Sequence, residues 1–254
     1  MIWPFRKPAP LAFRVPEGTR IYAVGDIHGK ADLLRCLQQT IARDAQGFAG
    51  DSIIEVYLGD YVDRGNASAE VLDLLLTDPP PRHERVCLRG NHEQALLDAL
   101  EDTQALRGWL QFGGLSTLAS YGVAIPSVVA EDAAAQMRDQ LRRALPSAHL
   151  AFLQTLRTHF ECGGYYFVHA GVRPGRSLAA QSDEDRLWIR DDFLRHQRAF
   201  AKYIVHGHSP NAAPELLAHR ANLDVSDAPV PSLCILRLEG ESRELLLVQE
   251  GIED

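Results

Sequence analysis

Short apolar runs that end at glycine, each followed by a polar loop and then a helical pattern, recur three times in the first half of the chain. Residues 21–25 read IYAVG, and ADLLRCLQQTIARDA (31–45) then sets Leu33, Leu34, Leu37 and Ile41 at helical spacing. SIIEVYLG (52–59) precedes ASAEVLDLLLT (67–77), which a PPP run at 79–81 ends, and RVCLRG (85–90) precedes EQALLDALED (93–102). Three strand–loop–helix units predict an α/β domain whose ligands gather at the carboxyl ends of the strands. Residues from about 103 to 160, WLQFGGLSTLASYG and then AEDAAAQMRDQLRRAL, predict a helical insertion over one rim of those ends. Strands return at YYFVHAG (165–171) and KYIVHGHS (202–209), and SLCILRL, EGES, RELLLVQ alternates as a β-hairpin. Residues 1–20 carry four prolines and no period, which predicts an extended arm outside the core. That leaves one domain over 21–250, with the tail GIED frayed.

Composition narrows the classes. A chain of 254 residues, 46% hydrophobic, has material for one large core. The net charge of −8 opposes binding to a phosphate polyanion, so nucleic acid is not an expected partner. Four dispersed cysteines without CxxC spacing read as small apolar residues in a reducing compartment. No stretch approaches the ~20 apolar residues of a membrane span, and the basic N-terminal stretch lacks the apolar region of a signal peptide. The expectation is a cytoplasmic protein with no membrane partner.

The strand ends carry the chemistry: Asp26 and His28, Asp60 and Asp63, Asn91 and His92, His169, then His206 and His208. Carboxylate, amide oxygen and imidazole are ligands for divalent metals, and side chains from five strand ends can converge on one point. A carboxylate can bridge two cations, and Asp60, in the middle of the set, is the natural bridge. Blander readings exist for single residues. A Gly-Asp pair is a common turn, Asp63 and Arg64 could form a surface ion pair, and Asn91 could be a helix N-cap. Trp109, Phe112 and Tyr121 could line a pocket but read first as core, and His83, His149, His159, His196 and His219 as surface or helix residues.

GDIHG (25–29), GDYVDRG (59–65), GNHE (90–93), HAG (169–171) and GHS (207–209), in that order, resemble the blocks of the metal-dependent phosphoprotein phosphatases, part of the calcineurin-like metallophosphoesterases. The resemblance implies a fold of two mixed β-sheets flanked by helices, a four-layer αββα sandwich, here with the helical insertion. It implies that Asp26, His28 and Asp60 hold a first metal and Asp60, Asn91, His169 and His208 a second, with Mn²⁺ expected first and Fe or Zn²⁺ as alternatives. His92 would be the general acid and Asp63 the group that orients it. Arg64, Asn91 and, in RLWIRDDF, Arg190 would bind substrate phosphate. A hydroxide bridging the metals would attack phosphorus in line. His206 would be a neighbour rather than a ligand. The implied substrate is a phosphoserine or phosphothreonine protein or peptide, with phosphotyrosine tolerated, as in bacterial or phage members. The alternative is a symmetrical diadenosine tetraphosphate hydrolase, a branch that typically lacks the second aspartate of the second block and reads GNHD in the third. NLDVSDAP (222–229) departs from the more usual Ile-Asp-Thr-Gly-Ala run by losing its glycine, which puts the geometry of that loop in question.

Overall fold

The computed structural model describes residues 13–126 and 131–250. Its elements run β1 (Thr19–Val24), α1 (Ala31–Ala45), β2 (Ser52–Tyr57), α2 (Ser68–Leu76), β3 (His83–Cys87), α3 (Asn91–Glu101) and α4 (Thr103–Trp109). A kinked stretch, Leu110–Gly114, leads to α5 (Leu115–Ser120), then α6 (Glu131–Ala144) and α7 (Ser147–Thr155). There follow β4 (His159–Cys162), β5 (Tyr165–Val168), α8 (Asp183–Trp188), α9 (Asp191–Leu194), β6 (Tyr203–His206), β7 (Glu215–Leu216), β8 (Arg220–Asn222), β9 (Ser232–Glu239) and β10 (Ser242–Gln249).

Two five-stranded mixed sheets form, in the orders β10-β9-β1-β2-β3 and β4-β5-β6-β8-β7. In the first, β1, β2 and β3 are parallel and β9 and β10 antiparallel to their neighbours. In the second, β5, β6 and β8 are parallel, with β4 and β7 antiparallel at the edges. The continuous apolar runs of β1 and β2 follow from burial on both faces. Ile21, Ala23, Ile54 and Val56 point into an apolar layer shared with Tyr165, Phe167, Tyr203 and Val205 of the second sheet. Tyr22, Val24, Ile53 and Tyr57 point the other way, onto Leu34, Leu37 and Ile41 of α1 and Val71 and Leu72 of α2. On the far face of the second sheet Tyr166, Val168 and Ile204 pack on Ile189 and Phe193. Helix, sheet, sheet, helix is the expected sandwich.

Three details differ from the sequence reading. Phe13 and Val15 are buried between the sheets, so the described end of the N-terminal arm belongs to the core; residues 1–12 lie outside the described residues, as does the tail GIED. β4 starts at His159, just inside the predicted insertion. Strands β4, β7 and β8, of four, two and three residues, are too short to show a period and were not expected.

Candidate metal centre

The loops after β1, β2, β3, β5 and β6 meet at the seam between the two sheets. Their backbone is unusual: His28, Asp60, Asp63, Arg64 and His208 all have φ between +47 and +75°, leaving Arg82 as the one other such non-glycine among the described residues. Side chains with a Cβ rarely adopt this region, and here the surrounding fold imposes it. Two of the block glycines make room for a carboxylate. A Cβ on Gly90 would stand 2.1 Å from Asp60 Oδ1, and one on Gly207 would stand 2.0 Å from Asp26 Oδ1, so each lies under a carboxylate.

Glu93 braces the arrangement. Wholly buried, it accepts backbone N–H groups from Asp60 and Gly90 at Oε2 (both 2.8 Å) and from Tyr61 and Val62 at Oε1 (2.7 and 3.2 Å). Its carboxylate is thereby spent on the loop that carries Asp60, and on the start of α3. Asn91 is the first residue of α3, after Gly90, and makes no side-chain cap; its Oδ1 turns inward instead, which removes the N-cap reading.

Asp60 faces two clusters. Its Oδ2 lies 3.7 Å from His28 Nε2 and 3.8 Å from His92 Nε2, while Oδ1 lies 3.3 Å from His169 Nε2. His169 Nε2 is 2.9 Å from Asn91 Oδ1 and 3.2 Å from His208 Nδ1, which is itself 2.8 Å from Asn91 Oδ1. Ligand atoms of His28, Asp60 and His92, and again of Asp60, His169 and His208, lie within 4.8 Å of one another. The donor chemistry fits cations at both places. His169 gives its Nδ1 proton to Leu58 O and His28 its Nδ1 proton to Val62 O, both at 3.0 Å, so each Nε2 presents a bare lone pair. Burial, reinforced by neighbouring positive groups, holds His28 and His169 well below the ordinary imidazole range and His208 down at about 3, so these rings stay neutral. The bare lone pair of His169 Nε2, the Asn91 amide oxygen and the Asp60 carboxylate then face one another, and a single proton on His208 Nδ1 can serve only one of them at a time. His28 Nε2 and His208 Nε2, both buried, also lack any hydrogen-bond partner. Burial first, and then the charges of Asp224 and Asp60 for one and of Glu93 for the other, push Asp26 and Asp60 well above the usual carboxylate range. Divalent cations would relieve that.

The sequence model of calcineurin-like phosphoesterases matches residues 19–233, a span that contains both clusters and all five blocks. The chain belongs to the calcineurin-like phosphoesterase family. Among curated relatives, a symmetrical bis(5'-nucleosyl)-tetraphosphatase of Pseudomonas putida is 29% identical over 175 residues, 67% of this chain and 50% of that protein. The chain thus spans about half the length of that relative. The serine/threonine-protein phosphatase BSL2 of Arabidopsis thaliana is 39% identical over 98 residues, 37% of this chain and 9% of its own length. A crystal structure described as that of a candidate diadenosine tetraphosphatase superposes with a TM-score of 0.60 at 18% identity, covering 96% of this chain and 97% of the other, which speaks for the fold. Calcineurin-like phosphoesterases use divalent metal ions. No helix among the described residues is long and apolar enough to cross a membrane.

Asp26 is buried, but its oxygens accept the His208 backbone N–H (3.2 and 3.1 Å), and it is in neither three-residue cluster; His92 stands beside His28 and Asp60 instead. His92 Nδ1 donates to Asp63 Oδ2 at 2.6 Å, with Asp63 wholly buried, so the surface ion pair with Arg64 is not formed. Arg64 and Arg190 are both exposed. The charge of Arg64 reaches Asp26, Asp60, His28 and His208, and that of Arg190 reaches His208. His206 belongs to neither cluster: it gives Nδ1–H to Gly207 O (3.0 Å) and accepts Arg220 at Nε2 (3.2 Å). The loop that lost its glycine is closed by Asp224 Oδ1, which accepts Ser226 N and Oγ at 3.0 and 2.6 Å.

Ser68 and Thr117 escaped the sequence reading, and Trp109, buried as the core reading expected, has a polar role as well. Trp109 Nε1 donates to Asp63 Oδ2 at 2.7 Å and Thr117 Oγ1 to Asp63 Oδ1 at 2.6 Å, while Asp63 N donates to both Thr117 Oγ1 (2.9 Å) and Ser68 Oγ (3.0 Å). Hydroxyls inside helices are ordinary in sequence, so only the fold reveals Ser68 and Thr117. Phe112, half-exposed at the kink, lays its ring edge-on to His92 with centroids 5.1 Å apart, and Tyr121 hydrogen-bonds the buried His149. His149 is thus a helix residue, as the sequence allowed, but one turned into the core.

Proposed function

We propose that the chain is a metal-dependent phosphomonoesterase acting on phosphoserine and phosphothreonine in proteins or peptides, with phosphotyrosine as a secondary substrate. The observation that carries this reading is the 2.6 Å bond from His92 to a wholly buried Asp63, beside the two clusters that share Asp60. Hydrolysis of an alkyl phosphate forms a bond from water oxygen to phosphorus and breaks the bond to the seryl or threonyl oxygen. That oxygen leaves as a strong base and needs a proton. His92, tied at Nδ1 to Asp63, directs Nε2 toward the cluster and can give a proton there, ending neutral with its Nδ1–H still on Asp63. Arg64 and Arg190 would neutralise the phosphoryl oxygens, with Asn91 contributing its amide. Two divalent ions, Mn²⁺ being the first to try, would be held by Asp26, His28 and Asp60 and by Asp60, Asn91, His169 and His208. They would lower the pKa of a bound water and draw charge off the phosphoryl group. A single domain that takes in Phe13 and Val15 and runs to residue 250, cytoplasmic and without nucleic-acid or membrane partners, accords with this reading.

The second reading, symmetrical cleavage of a dinucleoside tetraphosphate, is favoured by the names of the Pseudomonas relatives. There the leaving group is a nucleoside diphosphate, a weak base that departs without an acid. A supported His92–Asp63 pair is then superfluous, which is why the alkyl ester is preferred. Glu93, whose place in GNHE also favoured the protein phosphatase branch, points at backbone amides rather than the cleft, so its weight in that choice is reduced.

The test is a side-by-side assay of the Mn²⁺-loaded protein on a phosphothreonine peptide, a phosphotyrosine peptide and diadenosine tetraphosphate at equal concentration. Faster release from the phosphothreonine peptide is expected. Preference for the dinucleotide would overturn the first reading in favour of the second.

A further inference from the structure

The groups that hold Asp63 come in part from the helical segment beyond the family's signature blocks. Trp109 ends α4 and Thr117 lies in α5; each is almost wholly buried, at 1% and 0% exposure, so water does not compete for their bonds. An indole N–H can only donate, and it occupies Asp63 Oδ2 alongside His92 Nδ1, at 2.7 and 2.6 Å. The Thr117 hydroxyl donates to Oδ1 at 2.6 Å, accepts the Asp63 N–H at 2.9 Å, and lies 2.9 Å from Ser68 Oγ. The carboxylate is thus pinned at both oxygens and its own backbone is held, in the left-handed conformation (φ 75°), by the hydroxyl pair. A ring tied to a carboxylate that cannot swing is itself fixed. Gly113, at φ 129°, lets the kink between α4 and α5 pass against Asp63 Cβ and Arg64, where an added Cβ would meet them at 3.1 and 3.2 Å. The two helices therefore close on the acid from either side of one bend.

We propose that Trp109 and Thr117 are positioning residues that fix the His92 ring through Asp63, so that the helical insertion governs how well the acid serves a poor leaving group. The proposal rests on the reading of His92 as acid. Its consequence is a selective one: substitutions at these two helical positions change the dependence of rate on leaving group, and leave phosphate binding and the expected metal ligands Asp26, His28, Asp60, Asn91, His169 and His208 alone.

The variants are Trp109→Phe, Thr117→Val and the conservative Thr117→Ser, each checked for bound metal. On a phosphoserine peptide kcat is expected to fall about 10- to 10²-fold in W109F and T117V, part of the usual size of an acid contribution, with T117S within about 3-fold of the parent. On p-nitrophenyl phosphate, whose leaving group needs little protonation, all three stay within about 3-fold at unchanged KM. A second readout needs no turnover: the His92 Nδ1–H resonance in proton NMR of the metal-free protein, assigned by its loss in His92→Asn, moves or broadens in W109F and T117V and is kept in T117S. Equal loss on both esters would mark an ordinary packing role and overturn the proposal, as would an unmoved His92 proton. If His92→Asn itself shows no leaving-group dependence, the acid reading fails, and the resonance alone then decides whether these residues hold the ring.

Discussion

Single atoms decide most of what this site can do. Asp60 offers one oxygen to each cluster, and an asparagine would offer only one. Asp60→Asn is therefore expected to retain less than half of the metal bound by the parent, measured by elemental analysis after gel filtration; full retention would count against a bridge. Glu93 is a structural counterpart: Glu93→Gln replaces one acceptor oxygen by an N–H pair facing two backbone donors. A cost of about 2–4 kcal/mol is expected in denaturant unfolding, from buried donors left unpaired. His206 sets a pH dependence. Burial, with the Arg220 charge, lowers it from the ordinary value to about 3, so it folds neutral and accepts from Arg220. The unfolded chain binds the proton more readily, so this contribution is whole above about pH 6.5 and is lost as pH falls toward 3. His206→Gln should show a flatter fall of stability between pH 6.5 and 4.5 than the parent; equal slopes would remove the assignment.

At the scale of elements, the kink between α4 and α5 puts Phe112 edge-on to His92 at the mouth of the site. Phe112→Ala is expected to raise KM several-fold for phosphotyrosine peptide while changing phosphoserine peptide less, because only the aryl group has a face to offer the ring; about 0.5–1.5 kcal/mol is the usual scale of such a contact. Steady-state kinetics on the two peptides checks it. The elements themselves were largely open to reading from sequence. IYAV and SIIEVY are strands buried on both faces, hence continuous apolar runs, and α1 has bounds that its apolar positions mark. What stayed hidden had physical reasons. Strands of two to four residues carry no period, Phe13 and Val15 sit among prolines yet fill a gap between sheets, and Trp109 finds its partner 46 positions away. The five blocks were legible because each pairs a candidate metal-ligating or acid side chain with a glycine. The turn of Asp26 onto the His208 amide was not, since no pattern in the chain reports a side-chain rotamer.

Over the whole molecule, the candidate ligands divide between the sheets: Asp26, His28, Asp60 and Asn91 follow strands of the first, His169 and His208 strands of the second. Cations held there would tie the two sheets together. Chelation is therefore expected to lower the midpoint of thermal unfolding in a metal-concentration-dependent way, by the free energy of binding to the folded state alone, and calorimetry with and without chelator measures it. An unchanged midpoint would mean the seam does not depend on metal. The order of strands has another consequence, for the chain as it is made. β1 lies between β2 and β9, and Arg20 hydrogen-bonds Glu239 across 219 positions. A ribosome releases every candidate ligand before it delivers β9, so a nascent chain can carry a full set of ligands while the edge of its first strand is still open. Such an edge invites pairing with another copy. Chains ending at residue 230, which keep β7 and β8 but lack β9 and β10, should therefore sediment with the insoluble fraction whatever the metal supply, and the step most in need of a chaperone is the arrival of the last two strands.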